Sequence, residues 1–288
     1  MAATINVNGR ITDERDAVIP VLDHGFLYGE GIYETLRTYN RRPFLYDRHM
    51  RRLRNSARMI ALDIPFSDDE CAAHIRHTMA AATLGGNEAY IRVLVTRGVG
   101  DLTYDTRATP RPSYVVIVKP QIDPEPSAYE QGVQVAIVDV VRNHPDSVNP
   151  IIKSNNLLNN ALAMQEALRR GGFEGVMRNY RGELSECTTA NLFIVRKAST
   201  LTPPLSAGFL PGITREFVLE IARAVGVDAR EEVLRDEDLF NADEAFLTST
   251  TREVVPIVRV DDRTIGNGTP GAVTRKLLEE YRRRARAT

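Results

Sequence analysis

A proline-rich, polar segment near the middle of the chain constrains its fold more than any other feature. Residues 120–132 read PQIDPEPSAYEQG and follow the apolar strand pattern SYVVIVK. Such a composition is typical of a connection between domains, because it neither continues a strand nor buries apolar surface. We therefore predict a small N-terminal domain over 1–118, a linker over 119–131 and a larger C-terminal domain over 132–288.

Both halves of the chain alternate strand and helix patterns. INVNGRI predicts a hairpin through its Asn-Gly pair, and DRHMRRLRNSARMIAL predicts an amphipathic helix that begins at Asp47 as N-cap. In the second half, the strand pattern VQVAIVDVV precedes the helix pattern NLLNNALAMQEALRR, which ends at the pair Gly171-Gly172. The chain is therefore predicted to be an α+β protein with two domains.

Composition and charge exclude several classes of function. The 288 residues carry a formal net charge of −1 and the sequence pI is about 6.6, so no nucleic-acid surface is predicted. No apolar run reaches the length of a membrane span, and the first residues lack a signal-peptide pattern. Cys71 and Cys187 match no metal-ligand spacing, so neither a metal site nor a disulfide framework is predicted. A cytoplasmic protein is expected.

Lysine is rare in this chain, and one lysine has an unusual setting. Of 37 lysines and arginines, only Lys119, Lys153, Lys197 and Lys276 are lysine. Lys153 lies in NPIIKSNNLLNN, between apolar residues and an Asn/Leu run, whereas the others occupy sites typical of solvated cations. An amine among such neighbours tends to lose its proton and can then attack carbonyl compounds. The alternative is a lysine near a helix start that extends into solvent.

Two further motifs suggest a ligand site. In GFLPGITREFVLEIARAVG, a helix begins at Gly212, Ile213 and Thr214, where unpaired N–H groups can bind phosphate. The alternative is an ordinary helix capped by threonine.

In GELSECTTANLFIV, Glu186 enters an apolar strand, so it requires a cationic or hydrogen-bonding partner unless it lies on an exposed rim.

Six motifs in order resemble those of the fold type IV pyridoxal-phosphate enzymes. They are YGEGIYETLRTY, HMRRL, IKSNNLLNN, ELSECTTANLF, LPGITR and FLTSTTREVVPI, and they cover nearly the whole chain. The group includes branched-chain aminotransferases, D-amino acid aminotransferases and aminodeoxychorismate lyases. The resemblance implies the D-amino acid aminotransferase-like architecture and pyridoxal 5′-phosphate as cofactor.

The resemblance also implies roles for individual residues. Lys153 would form the internal aldimine and move the proton between the substrate α-carbon and the cofactor. Glu186 would pair with the pyridine nitrogen and keep it protonated. Leu210 would pack on the ring. The remaining cofactor-binding residues would hold the phosphate: Arg52, Ile213, Thr214 and Thr250.

Strand periodicity places polar and aromatic side chains on common faces. IYETLRTY puts Tyr33, Thr35 and Arg37 on one face of a strand, and YIRVLV places Tyr90 and Arg92 together. These faces can look into one cavity, or they can cover an exposed side of the sheet.

The resemblance assigns substrate roles to these faces. As in branched-chain aminotransferases, Tyr90 would hold the α-carboxylate and Arg92 the distal carboxylate of 2-oxoglutarate. Backbone N–H groups of Thr250 and Thr251 would assist. In a homodimer, Tyr28 would reach across the subunit interface. The candidates that complete the substrate-binding set are Tyr28, Tyr33, Arg37 and Leu158.

The motifs differ in the subgroup that they favour. Thr35 replaces a usual glycine, as in the lyases, while IKSNNLLNN and TSTT are similar to D-amino acid aminotransferases. The Arg-x-His carboxylate motif of the latter is missing from the loop RGVGDLTYD. We therefore expect a transaminase for L-branched-chain amino acids and 2-oxoglutarate. The alternatives are a D-amino acid transaminase, an aminodeoxychorismate lyase, or a protein that only binds a phosphorylated ligand and needs neither Lys153 nor Glu186.

Overall fold

The computed structural model describes residues 2–287, and their contacts define two units. The N-terminal unit comprises residues 2–122 and 152–156, and the C-terminal unit comprises residues 123–151 and 157–287. Lys153 therefore belongs to the N-terminal unit, although it follows the predicted linker in sequence. The domain limits predicted from the sequence stay a prediction.

The N-terminal unit is built on an antiparallel sheet of six strands. Its elements are β1 (Thr4–Val7), β2 (Arg10–Asp13), α1 (His24–Leu27), β3 (Gly31–Tyr39), β4 (Arg42–Pro43), α2 (Tyr46–Met59), α3 (Asp68–Ala81), β5 (Ala89–Thr96) and β6 (Ser113–Pro120). The strand order is β2-β1-β6-β5-β3-β4. Helix α2 packs on β3, and α3 packs on β1 and β6. The apolar core between the helices and the sheet includes Ile32, Leu36, Met50, Leu53, Ile75, Ile91 and Val93.

Local signals explain two details of this unit. Asn8 and Gly9 have φ angles of 50° and 92°, which are those of a two-residue turn between β1 and β2, so the predicted hairpin is confirmed. The predicted N-cap of α2 is wrong. The helix begins at Tyr46 after Leu45, which has a left-handed backbone, and Asp47 lies in the first turn. There its charge still favours the helix through the dipole.

The C-terminal unit contains a larger, mixed sheet. Its elements are α4 (Pro126–Glu130), β7 (Val133–Ile137), α5 (Leu158–Arg169), β8 (Gly175–Arg178), β9 (Leu184–Cys187), β10 (Asn191–Arg196), β11 (Ser199–Thr202), α6 (Ile213–Ala224), β12 (Ala229–Glu231), α7 (Asp236–Phe240), β13 (Glu244–Ser249), β14 (Glu253–Val260), β15 (Arg263–Thr264) and α8 (Ala272–Ala287). The strand order is β12-β11-β10-β13-β14-β7-β8-β9, and β15 pairs with β14. Its core includes Val135, Ile137, Val176, Leu184, Leu192, Ile194, Leu247 and Val255.

The α+β class predicted from the sequence is confirmed. Helix α5 ends before Gly171, whose φ of 74° is favourable for glycine, as the Gly-Gly pair predicted. Within residues 2–287, no helix is both long and apolar enough to cross a membrane.

Candidate active site

Lys153 lies in a short extended segment beside strand β3. Its carbonyl accepts a hydrogen bond from Tyr33 N at 2.9 Å, and its own N–H donates to Ser56 Oγ at 3.0 Å. Two residues further on, Asn155 N donates to the carbonyl of Gly31 at 2.9 Å. A Cβ on Gly31 would lie 2.9 Å from the backbone oxygen of Val95, closer than real Cβ contacts, which favours glycine at this position. The backbone of Lys153 is therefore fixed on both sides, and the residue precedes α5 instead of starting it.

The Lys153 side chain rests on an aromatic ring. Its Nζ lies 4.5 Å from the centroid of the Tyr33 ring, and Cζ of Arg92 lies 4.0 Å from the same centroid. The electron-rich ring attracts the guanidinium of Arg92 and gives the Lys153 side chain a packing partner. Within residues 2–287, no carboxylate lies within 4.0 Å of the Lys153 amine. An amine that is held by a ring and not by a carboxylate remains available as a nucleophile.

A buried charge cluster lies under the same strand. Glu34 is fully buried, and its oxygens accept hydrogen bonds from Arg52 Nε at 2.6 Å and Nη2 at 2.8 Å. His49 Nδ1 is 2.7 Å from Glu34 Oε2. Burial alone would raise the pKa of Glu34, but the charge of Arg52 and the hydrogen bonds from Arg52 and His49 hold this pKa well below its usual range. The cluster fixes the guanidinium of Arg52.

The pKa of His49 is shifted in the direction of a neutral ring. Burial lowers this pKa most, the charge of Glu34 opposes the effect, and the charges of Arg52 and Lys153 lower it further.

Sequence reasoning missed Glu34, although a signal exists. Glu34 occupies an apolar position of the strand, between the core residues Ile32 and Leu36.

The opposite face of this sheet carries the predicted polar residues. In the register of β3 and β5, Thr35 pairs with Arg92 and Arg37 pairs with Tyr90, so all four side chains share one face. The predicted common face is therefore present. Nε of Arg92 is buried and has no hydrogen-bond partner in the described part of the chain. A buried donor in this state favours an acceptor from a ligand.

Tyr28 lies at the end of helix α1. Its ring meets the His24 ring edge-on at a centroid distance of 4.9 Å and lies 5.1 Å from the ring of Tyr104. These contacts join the segment around α1 to the loop that follows β5. A role of Tyr28 across a subunit interface stays a prediction.

In the C-terminal unit, Glu186 is buried beside an arginine. Arg142 Nε donates to Glu186 Oε1 at 2.7 Å, and Leu210 N lies 3.4 Å from the same oxygen. The position of Glu186 on an exposed rim is thus excluded, and the predicted cationic partner is Arg142. Sequence reasoning missed Arg142, because it is one arginine among many and lies 44 residues from Glu186.

Two asparagines explain the end of the motif IKSNNLLNN. Arg142 Nη1 donates to Asn159 Oδ1 at 3.0 Å, and Asn160 Oδ1 lies 3.5 Å from the same nitrogen. The amide groups are themselves anchored, because Asn159 Nδ2 donates to the carbonyl of Val141 and Asn160 Nδ2 to that of Thr188. The pair therefore orients Arg142. Leu158, at the start of the same helix, is exposed.

The start of helix α6 has the predicted open N-terminus. Gly212 is the N-cap and no side chain caps the helix, so the alternative of a threonine cap is wrong. A Cβ on Gly212 would lie 1.8 Å from Asn191 Oδ1, which explains the glycine. Asn191 Nδ2 donates to the carbonyl of Leu210 and fixes the approach to the helix. The first N–H groups of an α-helix have no acceptor within the helix, so they can bind an anion.

Thr250 and Thr251 lie in a tight hairpin loop between β13 and β14. Ser249 and Glu253 are paired at its base, which leaves residues 250–252 as the loop. Arg252, the third loop residue, donates to the buried carboxylate of Glu174 at 2.7 Å. The loop is therefore attached to the interior of the unit.

Comparisons with known proteins identify the family of the chain. Residues 31–260 match the amino-transferase class IV family. The chain is 38% identical to a protein of Methanocaldococcus jannaschii, provisionally named a branched-chain-amino-acid aminotransferase, over 96% of this chain and 95% of that protein. It is 32% identical to the D-alanine aminotransferase of Bacillus licheniformis, over 94% and 93% of the two chains.

A solved structure shows the same fold. The branched-chain aminotransferase of the archaeon Thermoproteus uzoniensis, in a structure with norvaline, superposes with a TM-score of 0.91 and 32% identity. The match covers 100% of this chain and 96% of that one. Fold and family together define an aminotransferase of fold type IV. The chain belongs to the class IV aminotransferases, so the predicted family and the predicted transaminase activity are confirmed.

Proposed function

We propose that the chain transfers the amino group between L-branched-chain amino acids and 2-oxoglutarate with pyridoxal 5′-phosphate, which it binds covalently through Lys153. The observation that carries this proposal is the Lys153 amine, which has a fixed backbone and lies on the Tyr33 ring without a carboxylate partner in the described residues. A lysine that served only the fold would be expected to pair with an acidic group or extend into solvent.

The side chains that are present fit this cofactor. A primary amine suits its aldehyde, a buried carboxylate suits its pyridine nitrogen, and helix N–H groups with an arginine suit its phosphate. When bound, the cofactor supplies an electron-accepting ring. In each unit the residues provide fixed charges and donors. Lys153 and Arg52 lie in the N-terminal unit, and the C-terminal unit provides Glu186, Leu210, Ile213, Thr214 and Thr250.

The roles of the residues follow from their chemistry. Lys153 Nζ accepts the proton from the substrate α-carbon. Glu186, paired with Arg142, would keep a proton on the pyridine nitrogen through its negative charge. Arg52, fixed by Glu34, is proposed as a phosphate ligand from the N-terminal unit, and the N–H groups at the start of α6 are proposed as phosphate donors from the C-terminal unit.

Arg92 supports the assignment of 2-oxoglutarate. Its guanidinium lies on the Tyr33 ring, and its Nε lacks a protein acceptor among the described residues. A carboxylate at the end of the substrate side chain would satisfy this donor. When an aliphatic substrate is bound, the ring still stabilises the charge, so one site accepts both kinds of side chain. Tyr90 would hold the α-carboxylate, with the loop N–H groups of Thr250 and Thr251.

Arg92→Leu tests this assignment. We expect the KM for 2-oxoglutarate to rise about 10-fold or more and the KM for an aliphatic keto acid to change little, because only the former needs the charge. Thr35→Ser, on the same face, is the matched control. Equal damage to both half-reactions would show that Arg92 holds the α-carboxylate or the fold.

A D-amino acid transaminase is the second candidate. The similarity to the Bacillus licheniformis D-alanine aminotransferase supports it. A panel of L-leucine, L-isoleucine, L-valine, D-alanine and D-glutamate with 2-oxoglutarate separates the two. We expect the L-branched-chain amino acids to react fastest, and a faster reaction with D-alanine would establish the second candidate. Turnover without any keto acid would indicate a lyase.

A homodimer is proposed from an exposed apolar surface of the N-terminal unit. Val18, Val21, Phe26, Leu102 and Tyr104 are all at least 65% exposed. The segments that carry them are joined by hydrogen bonds such as His24 N to the carbonyl of Gly98. Large exposed apolar patches mark interfaces, and a second copy would cover this one. Light scattering should give twice the chain mass of 32.2 kDa, and Phe26→Glu should shift the protein to monomer.

The cytoplasm is the proposed location. Cys71 and Cys187 are both buried and free, as is typical of proteins in a reducing compartment. Burial raises the pKa of both thiols, that of Cys71 to about 11, so neither is a reactive thiolate.

A further inference from the structure

The hairpin loop of residues 250–252 closes through a strained residue. Glu253, the first residue of β14, has a φ of 60°, in the left-handed region that favours glycine. Glycine adopts this conformation without steric cost, whereas a residue with a Cβ does not. A non-glycine residue in this conformation persists only where its surroundings hold it.

Contacts from two directions hold Glu253 and its neighbour. Arg282 Nε, on α8, donates to Glu253 Oε2 at 2.6 Å, and the Glu253 side chain is buried. Tyr129 Oη donates to the carbonyl of Arg252 at 3.2 Å. These contacts fix the end of the loop to a helix and to the segment that precedes β7.

Arg252 fixes the loop from inside the unit. Its Nη2 donates to Glu174 Oε2 at 2.7 Å and also to Thr189 Oγ1, and its Nε donates to Ser249 Oγ at 3.2 Å. Its guanidinium lies 5.4 Å from the ring centroid of Phe173. The Arg252 side chain thus contacts Ser249 at the start of its own loop and two residues from distant segments, Glu174 before β8 and Thr189 between β9 and β10.

Glu174 completes this attachment. It is fully buried, and its carboxylate also accepts hydrogen bonds from the hydroxyls of Thr188 and Thr189, the latter at 2.7 Å. A buried charge of this kind is costly unless it is paired and fully hydrogen-bonded. Here the pair has a net charge of zero, because Arg252 neutralises Glu174. The interaction therefore holds the loop without adding a net charge beside Thr250 and Thr251.

We propose that Glu174 and Arg252 are positioning residues that keep the loop preformed as an anion-binding turn, with the N–H groups of Thr250 and Thr251 as its donors. This inference rests on the proposed function, in which Thr250 contributes to the cofactor phosphate site and the N–H groups of Thr250 and Thr251 help to bind the substrate carboxylate. A preformed loop binds an anion without first losing conformational entropy, which makes binding tighter. The ligand class is a phosphate monoester or a carboxylate.

The test uses a charge-neutral double variant, Glu174→Gln/Arg252→Leu. A single substitution would leave either Glu174 or Arg252 as a buried charge without its partner. Its effect on the net charge could then not be separated from its effect on the order of the loop. The double variant keeps the net charge, and the introduced glutamine can still bond to the two threonines. Arg252→Lys is the conservative variant, because lysine can pair with Glu174 but cannot also reach Thr189 and Ser249 in a fixed geometry. The matched control is Arg178→Leu/Asp236→Asn, which removes an ion pair of 2.6 Å in the same unit.

Two readouts are required on the full-length protein. Hydrogen exchange of residues 250–253 measures the order of the loop, and calorimetry on the cofactor-free protein measures its affinity for pyridoxamine 5′-phosphate. In the double variant we expect faster exchange in the loop and an affinity weaker by about 10-fold. Arg252→Lys should lie between the parent and the double variant. The control should leave both readouts unchanged, even if its melting temperature falls.

The outcomes separate this inference from the proposed function. Unchanged exchange in the loop of the double variant would overturn the positioning role. Faster exchange with unchanged affinity would also overturn it, because the loop would then not serve the anion. Failure of the proposed function is detected independently in the parent protein, by the absence of a cofactor bond to Lys153 after reduction.

Discussion

Each of the two units contains a buried arginine–glutamate pair, and the two pairs are proposed to serve the ligand through opposite members. In the N-terminal unit both oxygens of Glu34 accept hydrogen bonds from Arg52, and Arg52 is the residue proposed to meet the ligand. In the C-terminal unit Arg142 donates to Glu186, and here the carboxylate is proposed to meet the ligand. The comparison teaches that a buried Arg–Glu pair does not reveal by itself which member is functional. Substituting the arginine and the glutamate of each pair separately should therefore show which residue mainly supports the folded structure and which mainly supports catalysis or ligand binding.

The largest expected effect is a loss of stability when Glu34, the fully buried member of the Glu34–Arg52 pair, is substituted. Glu34→Gln should lower the free energy of unfolding by about 3–5 kcal/mol, because it removes the fully buried negative charge that both Arg52 and His49 contact. Urea unfolding measures it. The control is Glu280→Gln on α8, whose partners Arg283 and Arg284 are 67% and 31% exposed, so a change below about 1 kcal/mol is expected. A loss for Glu34→Gln no larger than for the control would contradict the account.

Glu186→Gln should slow the chemical step more than it weakens cofactor binding. Removal of the negative charge weakens the protonation of the pyridine nitrogen, so kcat should fall by about 100-fold or more with cofactor saturating. Stopped-flow absorbance of the half-reaction with L-leucine measures the step. Cofactor affinity should change much less. Transamination by Glu186→Gln at the parent rate would exclude the proposed role.

Arg52→Ala should act on cofactor affinity. Charge-assisted contacts with a phosphate are worth about 1.5–3 kcal/mol, so the Kd for pyridoxal 5′-phosphate should rise by about 10-fold to 100-fold. Equilibrium titration of the cofactor-free protein measures it. Arg51→Ala, on the exposed side of the same helix, is the control. Equal affinities for the two variants would show that Arg52 serves only Glu34.

The smallest expected effect is a pH dependence of stability. The pKa of Glu34 is lowered on folding, so its contribution is fully present above its unfolded value of 4.5 and is lost as pH falls towards the folded pKa. The pKa of His49 is also lowered on folding, so its ring likewise reduces the stability of the folded protein as the pH falls below 6.5. Below pH 4.5, the parent should lose about 1.4 kcal/mol per pH unit more than Glu34→Gln. If the free energies of unfolding of the parent and of Glu34→Gln, measured with urea, depended on pH in the same way, Glu34 would not be ionised and buried in the folded protein.

Local sequence signals were sufficient for much of the fold and for part of the site. The Asn8-Gly9 turn and the Gly171 helix end follow from backbone preferences, and the polar faces within β3 and within β5 follow from strand periodicity, whereas the register that joins them does not. The partners of the buried charges were not predictable in this way. Arg142 meets a residue 44 positions away and Arg252 one 78 positions away.

Such pairings depend on how distant strands are brought together, and a single sequence contains no local signal for them. Glu34 is the exception, because a carboxylate at an apolar position of a strand already requires a buried cation. The same reasoning predicted that Glu186 has a partner, but it did not identify Arg142 as that partner. Buried acids in apolar strands are therefore the part of a charge network that a sequence reveals first.

The most direct test of the account is the identity of the lysine that binds the cofactor. Borohydride reduction of the purified protein with pyridoxal 5′-phosphate, followed by peptide mapping, marks the lysine that carries a reducible bond. The account predicts a label on Lys153 and its loss in Lys153→Ala, with no label on the other three lysines. A label on Lys119, Lys197 or Lys276 with Lys153 unmodified would contradict the account.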